Sequence, residues 1–428
     1  MERRRDNFGS MNEIEAVGEA AVLNMGVGGE EAIVARERPW LYGLLVAPNA
    51  VLANGIIQGG VLGFLMRQQG IGVGQTSHVI ALLGLPTTIY FLWSPITDFL
   101  MRRRTWLLLG SVVAALLMVA AFRENSLTST SSIVLMFLSA CCGQLVVSAC
   151  GGMMGALQVE RSRRIAGSFY QGGSLAFGAA SVFVLVMEST RVSRMTLGVM
   201  AAALIAVPAL LALAAPEQVA VSKGSLGETL RRMGAEFKST FWRWGAIPYT
   251  LVMLFPIATG SAIGLLPNVA QDYGVNGQHV AWVNGLGGAL LMAAGSLAAT
   301  FIPARIRASV AYLLVALVNA ATLGVLWLGP LRPSTYYLGL TMYLFTVGTA
   351  YAMFTAVVLE FLGQSGKSGS GRYSIINSLG NVPVLYVIAL DGWGGNKWGA
   401  RGLSGTEAVA GAVGSTILLA YFLTRKRV

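Results

Sequence analysis

Charge is what this 428-residue sequence has least of: Lys, Arg, Asp and Glu together supply 11% of it. Soluble domains carry about 25% charged residues, so a chain this poor in charge could not keep a protein surface wetted. A soluble globular class is therefore excluded. Cysteine and histidine are nearly as scarce, at three and two residues. Cys141, Cys142 and Cys150 crowd into one apolar stretch, which rules out a disulfide framework. Neighbouring helix positions point about 100° apart and no histidine stands near them, so buried small hydrophobes explain the cysteines better than a metal site does. Signatures of catalysis are missing too: HExxH, GxSxG and CxxC do not occur.

What the chain has in abundance is apolar length. It is 55% hydrophobic with a mean hydropathy of +0.65. Twelve stretches approach the roughly 20 residues that cross a bilayer: Leu41 to Met66, His78 to Phe99, Thr105 to Phe122, Ile133 to Val159, Ile165 to Met187, Met195 to Ala215, Trp244 to Ala270, His279 to Pro303, Ser309 to Leu328, Thr335 to Leu362, Tyr373 to Leu390 and Gly405 to Thr424. All 30 Lys and Arg residues lie outside these stretches. Segments that would share one side hold 23 of them and the opposite side 7. The positive-inside rule then places both termini in the cytoplasm. The net charge of +11 is a topology signal: its cations are scattered through short loops facing anionic headgroups, and a nucleic-acid partner is not expected.

Self-similarity at about two hundred residues organises the chain further. Gly72-Val73-Gly74-Gln75-Thr76-Ser77-His78-Val79 returns as Gly274-Val275-Asn276-Gly277-Gln278-His279-Val280, each time before an even-numbered stretch. Glu160 and Glu360 likewise each precede a basic loop. These echoes predict an all-α integral membrane fold of two pseudo-symmetric six-helix bundles in parallel orientation. The expected divisions are a low-structure cytoplasmic tail at 1–38, a first bundle at 39–215, a cytoplasmic linker at 216–243, a second bundle at 244–424 and a basic tail at 425–428. Within the linker, Leu226, Leu230 and Met233 are spaced as one helix face, for an amphipathic surface helix or a plain tether. Gly55, Gly59 and Gly63 form a four-residue ladder in the first stretch, and Gly260 with Gly264 repeats it in the seventh. Such ladders let helix backbones approach closely.

Polar residues inside the stretches are the candidates for function. Acids near the basic ends are Asp98, Glu160 and Glu360, with Arg102, Arg103, Arg104 and Arg164 close by, and paired charges at the ends of moving helices can hold one conformation shut. They are expected to form a cytoplasmic gate. Glu188, Asp391 and Glu407 fall near the opposite ends of their stretches and read as interfacial ion pairs or helix caps. Uncharged candidates lie deeper: Asn54 and Gln58, Gln144, Tyr170 and Gln171, Asn284, Tyr343 and Tyr351, Asn377 and Asn381. An amide in lipid survives only bonded to another helix or facing a wet cavity. Their presence in both halves predicts one shared cavity. The run Gly363-Gln364-Ser365-Gly366-Lys367-Ser368 imitates a phosphate-binding loop, but Phe361 occupies the place of its first glycine and no strand precedes it. It reads as a flexible basic loop, and neither catalysis nor a cofactor is expected.

Gly84-Leu85-Pro86, then Phe91-Leu92-Trp93-Ser94-Pro95-Ile96-Thr97-Asp98, then Arg102-Arg103-Arg104-Thr105-Trp106-Leu107-Leu108 resemble the second-to-third-helix signature of AmpG-type muropeptide permeases and related acetyl-coenzyme A transporters, a branch of the major facilitator superfamily. Weaker resemblance covers Gly155 to Gly178 and Tyr373 to Glu407, including Asp391-Gly392-Trp393. Against the general superfamily motif GxxxDRxGRR, Asp98, Arg102 and Arg103 match, while Ser94, Phe99 and Met101 replace Gly, Arg and Gly. The resemblance implies alternating access by two bundles, with substrate near the midplane among helices 1, 4, 7 and 10 and an inner gate at Asp98 and its arginines. It also implies proton-driven muropeptide import across a bacterial inner membrane, although the apolar cores hold no Lys or Arg to meet a carboxylate.

The leading expectation is thus a monomeric secondary transporter for a small organic solute, with the lipid bilayer and protons as its other partners. The competing expectation is a transport-inactive sensor or assembly protein that retains the transporter fold.

Overall fold

Apolar runs of this length form helices because nothing else satisfies their backbone groups in hydrocarbon. The computed structural model describes residues 33–424 apart from 94–95, 98–100, 158–159, 216–225, 243, 304, 364–375 and 377, and every regular element among them is helical. The first half contains α1 (Ile33–Ile57, continued by Val61–Gln68), α2 (Val73–Ile89), α3 (Arg103–Arg123), α4 (Thr130–Gly155), α5 (Glu160–Glu188) and α6 (Arg194–Ala214). The second contains an interrupted α7 (Trp244–Leu254, then Ser261–Gly264 and Leu266–Val269), α8 (Gly277–Phe301), α9 (Ala308–Leu328) and α10 (Pro333–Gly363). The run Val382–Thr424 makes two arms, α11 and α12, which meet at Trp398 and Gly399. Gly399 takes φ +64° and ψ −152°, a conformation essentially open only to glycine, and Gly394 and Gly402 then press backbone to backbone across the hairpin. A helix over Leu226–Phe241 joins the halves.

Nine runs among the described residues are individually long and apolar enough to span a membrane, counting α11 with α12 as one. Dividing that hairpin, and adding the 17-residue α2 and the broken α7, completes twelve. The exterior is apolar: Leu116, Val207, Leu290 and Leu297 are each more than 60% exposed. A surface of that kind requires lipid around it. Helix α3 packs on α4 and α6, and α9 on α10 and α12, which gives each half its own bundle. The halves meet where α2 crosses α11, where α5 crosses α8, and where α1 meets α7. Two expected boundaries move. The described chain is already helical at Ile33, whereas the tail was expected to run to residue 38, and the eleventh and twelfth helices extend through a Gly- and Trp-rich segment that reads as loop in sequence. Residues 1–32 and 425–428 lie outside the described residues.

The glycine ladders of α1 and α7 meet each other. Gly63 lies against the carbonyl of Gly264, and Gly60, at φ +105°, lies against Pro267. Gly260, two hundred residues later, also takes a positive φ, +71°. Both duplicated helices are therefore interrupted at a glycine, Gly60 against Pro267 of the partner half and Gly260 against Tyr351 and Val347 of its own. In α7 the interruption runs from Phe255 to Gly260 and includes Ala258 at φ +45°. A β-branched residue there would be a true outlier, at a cost of about 1–3 kcal/mol. Ala258→Val should lower the apparent Tm of the detergent-purified protein by several degrees, whereas Ala258→Gly should leave it unchanged or raised, as a thermal melt of the three proteins would show.

Candidate functional site

Breaking α7 leaves carbonyls without helical partners, and three tyrosines from three helices supply them. Tyr386 of α11 donates to Leu254 O (2.6 Å), Tyr312 of α9 to Ile257 O (2.8 Å), and Tyr351 of α10 to Thr259 O (3.1 Å). The break is a built feature. It borders a cavity of about 300 Å³ between the halves, lined by Asn54 and Gln58 of α1, Gln171 and Ser174 of α5, Thr259 to Ser261 of α7, Asn284 of α8, Tyr351 of α10 and Asn381 of α11, among small and apolar residues. Among the described residues, no Lys, Arg, Asp, Glu or His lines it. Asn54 donates its amide to Ser174 Oγ (2.8 Å), and Asn284 accepts at Oδ1 from Tyr336 (3.1 Å). The Asn284 Nδ2 group is buried with no hydrogen-bond partner among the described residues. A buried donor left open in this way costs about 1–3 kcal/mol, which a bound acceptor would remove.

The structure thus brings six expected substrate residues to one cavity: Asn54, Gln58, Gln171, Asn284, Tyr351 and Asn381. Three go elsewhere. Gln144 donates to Asn49 Oδ1 (3.2 Å) and ties α4 to α1. Tyr170 packs in the first-half core, and the buried Tyr343 donates to Glu407 (2.8 Å). Asn377 lies outside the described residues, as do Asp98 and the side chains of Glu160 and Arg164. Of the other expected gating residues, Arg103 donates to Gly152 O (2.7 Å), tying α3 to α4. Arg102 precedes α3 and is exposed, and Arg104 lies half-buried in its first turn. Glu360 accepts from Tyr249 (2.7 Å) and from the Ser309 backbone (3.2 Å), with Arg307 at 3.8 Å. These partners all belong to its own half.

Sequence reasoning missed two constellations. The first is a seal at the end of the bundle where basic residues are few. Arg67 after α1 pairs with Asp272 after α7 (2.6 Å), Asn268 donates to Gly63 O (3.0 Å) and Thr76 Oγ1 (3.2 Å), and Asn396 accepts from Gly74 N (3.1 Å). Each bond joins the halves, and the cavity lies on the basic-end side of them, since Asn54 and Gln58 precede Gly63 along α1. The repeat flanking His78 and His279 held the only hint.

The second is an acid pair. Asp391 and Glu407 were expected at helix ends as interfacial pairs, yet they are 0% and 4% exposed and neither makes an ion pair among the described residues. The extended hairpin is the reason: it places both roughly two turns, about 12 Å, below the tip at Gly399. Glu407 Oε1 accepts from Tyr343 (2.8 Å) and Thr259 (3.2 Å), and Oε2 from the Ala262 amide (2.8 Å). Ser261 Oγ lies 2.9 Å from Glu407 Oε2 and 2.7 Å from Asp391 Oδ2. Glu188 does behave as expected, pairing with Arg191 at 3.2 Å.

No family model matches the sequence, and no curated protein matches it either. Solved structures match the fold. A crystal structure of a mutant of the nucleoside transporter NupG superposes with a TM-score of 0.69 at 13% identity, covering 90% of this chain and 98% of that one. A peptide transporter POT in complex with sulfate gives 0.67 at 13% identity, over 90% and 94%. A further POT-family structure, with a thioalcohol-conjugated peptide, gives 0.67 at 12% identity, over 91% and 97%. The likeness spans both halves, and the chain has a membrane transporter fold of the major facilitator type.

The Arg67–Asp272 pair is about one-third exposed, so its loss is worth up to about 1 kcal/mol, or about fivefold in any opening that breaks it. In a cysteine-free background carrying Ser174→Cys, Arg67→Ala should speed labelling by an impermeant maleimide from the Arg67 face by up to that factor. Arg67→Asp should speed it more, and adding Asp272→Arg should return it toward the starting rate.

Proposed function

We propose that this protein is a secondary transporter that moves a small, uncharged polar solute by alternating access, and that the conformation described is sealed toward the outside. The observation that carries this reading is the cavity itself: both halves line it with amides and hydroxyls, and one end is closed by bonds that all cross between halves. Two bundles rocking about such a site would break the seal and expose Asn54, Asn284 and their neighbours to the other face. The positive-inside arrangement puts the seal outside, both termini in the cytoplasm and the cavity on the cytoplasmic side. A bacterial inner membrane fits the resemblance to the AmpG-type branch.

The absence of Lys and Arg from the lining bears on the cargo. A solute with carboxylates would meet no cation and would approach the Asp391–Glu407 pair, so the lining argues against an acidic muropeptide and for neutral solutes. About 300 Å³ is at the small end of ligand sites. Nucleosides, and dipeptides blocked at both ends so that they carry no charge, are the first probes, suggested by the names of the structural neighbours.

Each probe should be screened for thermal stabilisation of the purified protein, then for uptake into proteoliposomes. The expected result is saturable uptake of at least one neutral solute, with KM raised about three- to tenfold by Asn284→Leu, the worth of one neutral hydrogen bond. Labelling of Ser174→Cys from both faces at once would contradict alternating access. A stable co-purifying partner together with no solute-dependent stabilisation would favour the sensor or assembly reading.

A further inference from the structure

The acid pair has a hydrogen count that its neighbours cannot meet. Four oxygen–oxygen contacts of 3.2 Å or less link Asp391 and Glu407 with Thr259, Ser261 and Tyr343. Three hydroxyls supply three hydrogens. Ser261 has one hydrogen and two carboxyl oxygens within 2.9 Å, so one of these contacts needs a hydrogen from a carboxyl group. The two sites are unequal. Both oxygens of Glu407 are approached by donors, including the Ala262 amide, which can only donate. Asp391 has one hydroxyl donor among the described residues, Ser261, and its Oδ1 is buried with no partner among them.

We infer that Asp391 and Glu407 form a one-proton binding site in which Asp391 carries the proton, Glu407 is the fixed carboxylate, and Ser261 relays the proton to the central cavity. The proton on Asp391 Oδ2 completes the 2.7 Å contact to Ser261 Oγ, and the Ser261 hydrogen completes the 2.9 Å contact to Glu407. On release, Asp391 gives its proton to Ser261 Oγ as the Ser261 hydrogen passes to water in the cavity, leaving Asp391 as a carboxylate. Thr259 and Ser261 both line that cavity, which gives the path its exit. The linking oxygens of the two acids are at most about 5.6 Å apart through Ser261. Two carboxylates that close, buried and without a cation, repel strongly, so the proton leaves only when water enters the α7 break. Proton release and opening of α7 are therefore linked. That linkage would couple a proton to the transport cycle, and to that extent it rests on the reading above.

The surroundings leave the pair as the titrating unit. From α10, Tyr343 faces Glu407 and Tyr351 is bonded to Thr259 O. Tyr312 of α9 is bonded to Ile257 O. His78 of α2 is exposed, Arg401 of α12 is turned to Gly329 O, and Lys397 lies over the Trp393 ring at 4.5 Å.

Infrared spectroscopy of the full-length protein in lipid tests the site without any solute. The protonated-carboxyl stretch should be present at neutral pH, shift in deuterated water, and lose one component in Asp391→Asn but keep it in Glu360→Gln. Should Asp391→Asn fail to fold, Ser261→Ala decides: the component should remain while its hydrogen–deuterium exchange slows about tenfold or more. Unchanged exchange in Ser261→Ala, no component lost in Asp391→Asn, or loss of the component on adding sodium at constant pH would each overturn the assignment, the last making it a sodium site. A protein that moves no solute would end the transporter reading and leave this test intact.

Discussion

A polar group in hydrocarbon must be satisfied from within the protein, and the interruption of α7 shows what that demand does. Opening a helix in lipid frees backbone groups that water cannot reach, each at a cost of several kcal/mol. Here Tyr386, Tyr312 and Tyr351 take three freed carbonyls, and Glu407 takes the Ala262 amide. Those four side chains come from α11, α9, α10 and α12, so the break recruits most of the second bundle. Its reward is a stretch of non-helical backbone beside the cavity, where backbone and hydroxyl groups can face a solute or an ion. The same requirement explains why α11 and α12 are long and glycine-rich: Glu407 reaches α7 because the hairpin closes at Gly394 and Gly402 and carries the acids two turns inward.

The duplicated architecture gives the molecule its seam. Because α1 and α7 are counterparts, each is interrupted at a glycine, Gly60 and Gly260, and beside those breaks Gly63 meets Gly264 almost without side chains between. Two helices touching through glycine make a contact that is tight in one arrangement and contributes little adhesion in another, since few apolar atoms are buried by it. The specific bonds across the seam are polar and few: Arg67 to Asp272, Asn268 to Gly63 and Thr76, Gly74 to Asn396. Apolar packing crosses the seam as well, since one buried cluster runs from Leu62, Leu65 and Val79 to Leu265, Val269 and Ile388, so the polar bonds fix the register of a contact that packing also holds.

Much of this was legible in the sequence. Hydropathy and the distribution of Lys and Arg are properties of whole segments, so twelve spans and two halves emerge without knowledge of any contact. The amides Asn54, Gln58, Gln171, Asn284 and Asn381 were readable because an amide in lipid needs a reason, and a shared cavity is the reason that joins several. Gln144 and Tyr343 had the same sequence signal and a different fate, since the choice between bonding another helix and lining a cavity is made by packing. Asp391 and Glu407 were visible as residues but misplaced, because Gly392 to Ser404 lacks the apolar content by which a span is recognised. Its helicity comes from tertiary contact, Gly394 on Gly402 and Gly405 on Trp327. The seal was illegible for another reason: Arg67 and Asp272 lie 205 positions apart, and only the superposition of the two repeats brings them together.

The halves share a plan but differ in charge. Helices α5 and α6 are the counterparts of α11 and α12, yet α6 has no acid and the acid at the far end of α5, Glu188, is partly exposed and bonded to Arg191. Among the described residues the fully buried acids belong to the second half, while the polar groups that the first half brings to the cavity are amides and hydroxyls. A duplication begins with equal halves, and the cheapest way to give one of them an ionisable centre is to bury acids where a broken helix already offers donors. Only α7, with its long break and its three tyrosines, does so; α1 resumes its helix within a few residues at Val61 and frees far less backbone. An ionisable centre on one side and a neutral, adaptable wall on the other divides binding of a charge from recognition of a solute. Because both line or adjoin one cavity, any rearrangement of α7 must act on the two together.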